Sequence, residues 1–137
     1  MADEAVIKDR LEPAVNFTVT DGTGIEKGTV MKMTDNRVAI INSGDADIFA
    51  GINAREKIAS DGRTSTPVFR RGIFLLICSG SVTTGDAVKI SNVVNHISIA
   101  LVADKAGSMV GIALEDGTNG NGIHVDLNPG GGGQQVT

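Results

Sequence analysis

The sequence predicts an all-β fold, or a β-rich fold with one short helix, built as a small barrel or sandwich. Short runs that are wholly apolar, or that alternate apolar with polar residues, recur along the 137 residues with turn residues between them. In addition, one segment in the first half matches a segment in the second half. With four Phe, no Trp and no Tyr, the core has to be built mainly from Ile, Val, Leu, Met and Ala.

Strands are expected wherever apolar side chains follow a period of two or form a continuous run. In 14–20, Val and Phe alternate with Asn and Thr, which indicates a half-buried strand, whereas 72–79 is almost wholly apolar. Residues 53–60 fit either a short helix or a further strand, and both interpretations stay open. The predicted strands span 14–20, 28–33, 37–41, 47–52, 66–70, 72–79, 86–90, 96–101, 108–114 and 122–127.

The segments 25–33 and 82–90 match at an offset of 57 residues, which places Gly28 on Gly85. Each of these glycines precedes or begins a predicted strand, so both are predicted to serve as turn glycines. The pattern predicts one β unit used twice around a pseudo-symmetric single core. Further matches are Ile25 with Val82, Lys32 with Lys89, Met33 with Ile90, Ile40 with Ile97, 49–52 with 109–112, and Val68 with Val125.

The domain organisation follows from composition. Residues 1–14 are expected to form an extended N-terminal arm, in which the spacing of Glu4 with Lys8 and of Ile7 with Leu11 fits one or two turns of helix. Residues 15–128 are expected to form a single β domain, and 129–137, with a run of glycines, a flexible tail.

Composition and charge exclude several classes of function. The net charge of −4 and the scarcity of aromatic side chains argue against direct nucleic-acid binding, which usually uses a basic surface and stacking platforms. No apolar run approaches the roughly 20 residues that a membrane helix needs. The N-terminus has acidic residues and no long apolar stretch, so we expect no secretory signal.

The search for reactive groups predicts no catalytic, cofactor-binding or metal-binding residues, and therefore no enzyme. The loop 80–85 has the glycine spacing of a phosphate-binding loop, but Asp86 and Ala87 follow it where Lys and Ser or Thr are required. Cys78 lies inside an apolar run, which is typical of a buried, inert thiol. Neither His96 nor His124 has a Cys or a second His at metal-binding spacing.

Four stretches carry a resemblance to a known family: "NFTVTDGTGIEKGTVMKMTD" (16–35), "FAGINAREKIASDGRTSTPVFRRGIF" (49–74), "GDAVKI" (85–90) and "VGIALEDG" (110–117). In these, the sequence resembles the capsid decoration, or cement, proteins of tailed bacteriophages. The resemblance implies a β-rich, non-enzymatic virion protein. It further implies a homotrimer that binds the major capsid protein on the outer surface of the expanded shell, at three-fold and quasi-three-fold positions, and stabilises it against internal DNA pressure.

The residues expected to contact partners follow from this resemblance, since the N-terminal arm of the family often contacts the shell. Our candidates for the capsid-contact arm are Val6, Ile7, Leu11, Val15 and Phe17. For Val15 and Phe17, a position in the core of the first strand is the competing interpretation. Arg70 and Arg71, expected on opposite faces of a strand end, are candidates for a subunit interface, with a solvated strand edge as the alternative.

Two other functions remain open at this point. One is a β-barrel module that binds a ligand or glycan without catalysis, although Trp and Tyr, which usually line sugar sites, are absent. The other is a small hydrolase or a subunit of one, with His96 or His124 as its base.

Overall fold

The computed structural model describes residues 3–9, 13–44, 47–101 and 103–130. Within these residues the chain forms strands and one short 3-10 helix, Ala106–Ser108, and no α-helix. The strands are β1 (Val6–Asp9), β2 (Val15–Thr18), β3 (Val30–Asp35), β4 (Val38–Ile41), β5 (Ile48–Asn53), β6 (Ser65–Phe69), β7 (Gly72–Cys78), β8 (Ala87–Ile90), β9 (His96–Ile99), β10 (Met109–Ala113) and β11 (Gly122–Leu127). The all-β prediction is therefore confirmed, and each of the ten predicted strands corresponds to one of β2 to β11.

Two local predictions need correction. Residues 6–9 form strand β1 and not a helical turn, because Val6 and Ile7 pair with Leu75 and Phe74 of β7. Backbone bonding to an available sheet edge outweighs the weak helical pairs that the spacing suggested. The undecided stretch 53–60 is neither a helix nor a regular strand beyond Asn53: it is a loop whose Lys57 makes a single bridge to Ile25.

The strands close into two barrels of five. Barrel A has the order β2-β4-β3-β5-β6. Barrel B has the order β7-β11-β10-β8-β9 and closes through the pairing of β7 with β9. Each barrel contains one parallel pair, β2 with β4 or β7 with β9, and otherwise antiparallel pairs. In barrel B, β9 pairs with β7 only at Ile77 and Cys78, and β1 covers the remaining edge of β7 from Ile73 to Leu75.

The predicted repeat is confirmed at the level of backbone hydrogen bonds. Gly28 N–H donates to the carbonyl of Asn53, and Gly85 N–H donates to that of Ala113, both at 2.8 Å. The bridge between Ile25 and Lys57 likewise has its counterpart between Val82 and Gly117. Two ion pairs also correspond: Lys32 with Asp47 and Lys89 with Asp104, with N–O distances of 2.9 and 3.0 Å.

One predicted match is wrong by a residue. Ile97 pairs with Ile90 on β8, and the corresponding pair in barrel A is Ala39 with Met33 on β3. Ala39 and Ile97 are both buried, whereas Ile40 is exposed. The second hairpin turn is one residue longer than the first, and a one-residue change reverses the face on which a side chain lies.

The expectation of a single core is also corrected, because the apolar interior divides between the barrels. One cluster fills barrel A: Phe17, Val19, Ile25, Met31, Ala39, Ala50 and Val68. A larger cluster fills barrel B and also includes four residues of barrel A: Val30, Phe49, Ile52 and Phe69. The core of barrel B therefore extends without interruption into the contact between the barrels.

Two buried hydrogen bonds join the barrels beside this apolar contact. Val30 N–H donates to Asn95 Oδ1 at 2.9 Å, and Asn42 Nδ2 donates to the carbonyl of Ser91 at 2.8 Å. Buried polar groups are costly when they lack a partner, so both bonds fix how one barrel sits on the other. We therefore expect the two barrels to unfold together.

Replacing Phe49 by Ala tests this coupling. The ring is 1% exposed in the cluster that spans both barrels, and its removal leaves a cavity, so we expect a loss of about 3–5 kcal/mol in the free energy of unfolding. Urea unfolding followed by circular dichroism is expected to show one transition, shifted to lower urea. Ile40→Ala, on the outer face of β4, is the control and should cost less than about 1 kcal/mol. Two separate transitions in the Phe49 variant would contradict the coupling.

The turn glycines Gly28 and Gly85 differ in what surrounds them. Both have a backbone φ angle of +90°, which residues other than glycine rarely adopt. A methyl group on Gly28 would lie 2.7 Å from the carbonyl oxygen of Ala5 and 2.7 Å from Cβ of Glu4, whereas one on Gly85 would meet nothing within 4 Å. Ala5 N–H in turn donates to the carbonyl of Gly28 at 2.7 Å. Gly28 thus serves as a turn residue and also forms the surface against which the N-terminal arm packs.

This difference gives a matched pair of variants. Gly85→Ala should cost about 1–2 kcal/mol of stability through backbone strain alone. Gly28→Ala should carry the same cost and in addition displace residues 4 and 5, so that limited proteolysis cleaves the arm faster than in the wild type. Equal proteolysis rates in the two variants would show that the arm does not depend on the glycine at position 28.

Candidate functional site

The N-terminal arm lies on barrel B, and its candidate residues face different ways. Val6 is exposed, whereas Ile7 and Ala5 pack against the core cluster that spans the barrels. Leu11 falls outside the described residues. A groove of about 240 Å³ runs beneath the strand, lined by residues of the arm and of both barrels, including Ile7, Ile52 and Phe74. Of Val6 and Ile7, the two candidates on β1, Val6 is therefore the one that is exposed to a partner.

Val15 and Phe17 separate in the same way. Phe17 is 5% exposed and belongs to the core of barrel A, so it is a core-strand residue and not a free anchor for a partner. Val15 is 41% exposed at the start of β2. The competing interpretation therefore holds for Phe17, and Val15 remains a surface candidate.

Val15 lies in a surface depression that also contains Arg70 and Arg71. One part, of about 280 Å³, is lined by these three residues with Pro13 and Pro129. An adjoining part, of about 360 Å³, is lined by Val15, Phe17, Met33, Arg37 and Arg70. We call the two parts together the Val15 groove. The sequence placed Arg70 and Arg71 on opposite faces of a strand; β6 instead ends at Phe69, and both arginines line this groove.

Two guanidinium groups in the Val15 groove, those of Arg37 and Arg70, are held in place by barrel A. Arg37 Nη2 donates to the carbonyl of Asn16 at 2.6 Å, and its guanidinium carbon is 5.3 Å from the centre of the Phe17 ring. Arg70 Nη1 donates to the carbonyl of Ala50 at 2.8 Å, and its guanidinium carbon is 5.9 Å from the same ring centre. These contacts combine cation–π attraction with fixed donors. The groove thus presents apolar surface beside positioned positive charge.

A second surface feature, which the sequence did not predict, is the loop 54–64 between β5 and β6. Its Lys57 side chain is fully buried, and Nζ donates to Asp61 Oδ1 at 2.7 Å and to Asp21 Oδ1 at 3.1 Å. It also donates to the backbone carbonyls of Asp21, at 2.9 Å, and Ile58, at 2.8 Å. We call the loop 54–64, in which exposed Ile58 follows buried Lys57, the Ile58 loop.

Electrostatics matches this geometry. Burial alone would lower the pKa of Lys57, but the hydrogen bonds and charges of Asp61 and Asp21 outweigh it, and the net pKa is raised. The hydrogen bond from Lys57, together with one from the backbone of Arg63, lowers the pKa of Asp61 to about 2. Lys57 is therefore charged at neutral pH, and the loop is held around it.

The histidines make contacts that their spacing in the sequence did not reveal. Ser79 Oγ lies 2.9 Å from His96 Nδ1, and Asp3 Oδ2 lies 2.9 Å from His96 Nε2. An acyl-transfer site also needs backbone donors for the oxyanion. Here Ser79 N–H already donates to Ile97, at 2.7 Å, and Gly80 N–H to the side chain of Asn119, at 3.0 Å. The contacts among Ser79, His96 and Asp3 therefore connect the arm to the start of β9.

The remaining candidate reactive groups are accounted for by local contacts. His124 Nδ1 lies 2.7 Å from Glu115 Oε1. Hydrogen bonds from the side chain and the backbone of His124 lower the pKa of Glu115. Cys78 is buried, and burial raises the pKa of its thiol, as expected for an inert cysteine. Among residues 3–9, 13–44, 47–101 and 103–130, no three His, Cys, Asp or Glu side chains group as metal ligands do.

In comparisons with known proteins, no protein-family model and no curated protein matches this chain. Over the part of the chain that the structure describes, no helix has the length and apolar character needed to cross a membrane.

The Lys57 cluster gives a pH-dependent prediction. The pKa of Asp61 is about 2 in the folded state, below its ordinary value of 3.8, so its ionised form stabilises the fold above about pH 4. That contribution is lost as the pH falls through about 2. We expect Asp61→Asn to lower the free energy of unfolding at pH 7, and the difference from wild type to shrink towards zero between pH 4 and pH 2, measured by urea unfolding at each pH.

Asp126→Asn, which changes a carboxylate on β11, is the control for general effects of acid. Its difference from wild type should stay small over the same range. A difference between Asp61→Asn and wild type that is constant from pH 7 to pH 2 would show that the ion pair with Lys57 does not stabilise the protein.

Proposed function

We propose that this protein is a capsid decoration protein of the tailed-bacteriophage type. It binds the major capsid protein on the outer surface of the expanded shell, as a homotrimer at three-fold and quasi-three-fold positions, and stabilises the shell against internal DNA pressure. It is made in the host cytoplasm, functions in the virion, needs no cofactor and carries out no catalysis.

The observation that carries this proposal is the fit between the resembling segments and the rigid part of the molecule. The stretches 16–35 and 49–74 form most of barrel A and the start of β7, and 85–90 and 110–117 include β8 and most of β10. The resemblance therefore lies on the barrels themselves and not on a single turn. A protein that holds neighbouring shell subunits together has to resist deformation, and two closed barrels joined by an apolar contact suit that task.

The surface supports the proposal in a second way. Exposed apolar side chains occur at separate positions on the surface, including Val6 on the arm, Val15 on β2 and Ile58 in its loop. Several modest contact points suit a protein present in many copies, because linked contacts add avidity even when each is weak.

The test uses expanded heads from a virus in which this gene has been deleted. Purified protein is expected to bind these heads saturably and to raise the temperature at which they release DNA. Val6→Asp should weaken binding roughly tenfold, the effect of losing one buried valine side chain from the contact. Binding is measured by co-sedimentation, and DNA release by dye fluorescence during heating.

Leu114→Asp, which changes an exposed apolar residue after β10, is the matched control and should bind like the wild type. If wild-type protein fails to bind the heads at any concentration, the proposal is wrong. Binding on a glycan array would then favour a ligand-binding module. Esterase or phosphatase activity that disappears in His96→Ala or His124→Ala would favour a hydrolase.

A further inference from the structure

The turn that leads into β11 contains two Asn-Gly steps, Asn119-Gly120 and Asn121-Gly122. In such a step the backbone nitrogen of the glycine can attack the side-chain amide of the asparagine, because glycine has no Cβ to obstruct the approach. All four residues are exposed to solvent. The two steps differ in how the fold engages the attacking nitrogen and the amide that it attacks.

The nitrogen of Gly120 is hydrogen-bonded to the neighbouring strand, whereas that of Gly122 points away from it. Gly120 N–H donates to the carbonyl of Cys78 at 2.8 Å. Cys78 N–H donates to the carbonyl of Asn121 at 2.8 Å, and the next pair along the ladder contains Gly122. Hydrogen-bonded and non-hydrogen-bonded pairs alternate between antiparallel strands, so Gly122 N–H points away from β7. On its other side, the pairing of β11 with β10 does not extend to Gly122.

The side-chain amide of Asn121 is also polarised by two donors. Its Oδ1 accepts hydrogen bonds from Thr118, from the backbone N–H at 3.0 Å and from Oγ1 at 2.6 Å. Within the described residues, Oδ1 of Asn119 accepts a single such bond, from Gly80 N–H at 3.0 Å. Donors on a carbonyl oxygen stabilise the negative charge that develops there when a nucleophile adds to the carbon. Asn121 thus combines a polarised amide with a following nitrogen that does not bond to β7.

We propose that Asn121 is a site of spontaneous deamidation. The nitrogen of Gly122 loses its proton to solvent hydroxide and bonds to Cγ of Asn121, and Nδ2 takes up a proton and leaves as ammonia. A water molecule then adds to one of the two carbonyl carbons of the cyclic imide, which opens to aspartate or to isoaspartate. The attack turns the Asn121 carbonyl away from Cys78, so the rate follows opening of the start of β11. This modification does not depend on the proposed function.

The corresponding step in barrel A, Asp61-Gly62, is held on both sides. Gly62 N–H donates to Asp21 Oδ1 at 2.8 Å, and Lys57 Nζ donates to Asp61 Oδ1 at 2.7 Å. In barrel B a glycine occupies the position of Lys57. A carboxylate formed at residue 121 therefore has no lysine of this kind beside it, and isoaspartate also lengthens the backbone by a methylene group. The product differs from the original protein in both charge and backbone length.

The experiment incubates the full chain at mildly alkaline pH and follows conversion by digestion and mass spectrometry, with fragmentation between the two asparagines. In the folded protein, Asn121 is expected to deamidate about fivefold faster than Asn119, the effect of one hydrogen bond on the attacking nitrogen. In the chain unfolded in urea the two rates should be similar, because each asparagine is then followed by an unbonded glycine. Equal rates in the folded protein would contradict the inference.

Thr118→Val and Thr118→Ser are the matched variants. Valine removes the Oγ1 donor and should slow deamidation of Asn121 in the folded protein about fivefold. Serine keeps the donor and should leave the rate unchanged, and neither variant should alter the rate at Asn119. Circular dichroism checks that both are folded. The inference is also wrong if valine does not slow the reaction, or if folded protein stays intact at residue 121 while the unfolded chain is fully converted.

Discussion

The contact between the two barrels is the interaction on which the rest of the structure depends. Barrel A and barrel B each span fewer than about 60 residues, a size at which a domain buries only about 60% of its unfolded surface and is marginally stable alone. Phe49 and Ile52 of barrel A join the core of barrel B, so each barrel completes the burial of the other. The arm then lies along the same contact, since Ile7 packs against that cluster.

The two repeats keep the same backbone bonds and differ in what their side chains do. The hairpin turns after β3 and β8 each contain a residue with positive φ, Arg37 at 54° and Asn95 at 65°. Asn95 points into the barrel contact and accepts a bond from Val30, whereas Arg37 lies over Phe17 in the Val15 groove. The turn that contains Asn95 therefore contributes a buried hydrogen bond between the barrels, whereas the turn that contains Arg37 contributes to the surface. A duplicated unit can diverge in this way because the backbone bonds, and not the turn side chains, maintain the barrel.

Much of the fold was predictable, because strand period and turn residues are local signals that do not depend on the partner strand. Strand β1 was missed because its pairing with β7 is a distant contact, whereas the helical spacing of Glu4 and Lys8 is visible locally. The mismatch at Ile40 arose because one extra residue in a turn cannot be seen from an apolar pattern. For the candidate surfaces, the sequence supplied Val15, Arg70 and Arg71 but not their convergence in one groove.

Lys57 shows why the remaining surface was invisible in sequence, and what its burial implies. A lysine in a loop is usually solvated, and nothing in the local pattern indicates that Asp21, 36 positions away, binds it. Burying an ammonium group is unfavourable unless every donor has a partner, so the loop is stable only with Lys57, Asp21 and Asp61 all in place. Opening the loop would break the bonds of the Lys57 ammonium group to both aspartates and to two backbone carbonyls. The backbone that carries exposed Ile58 is therefore held by the contacts of Lys57, which lowers the entropic cost of ordering this loop in any contact that Ile58 makes.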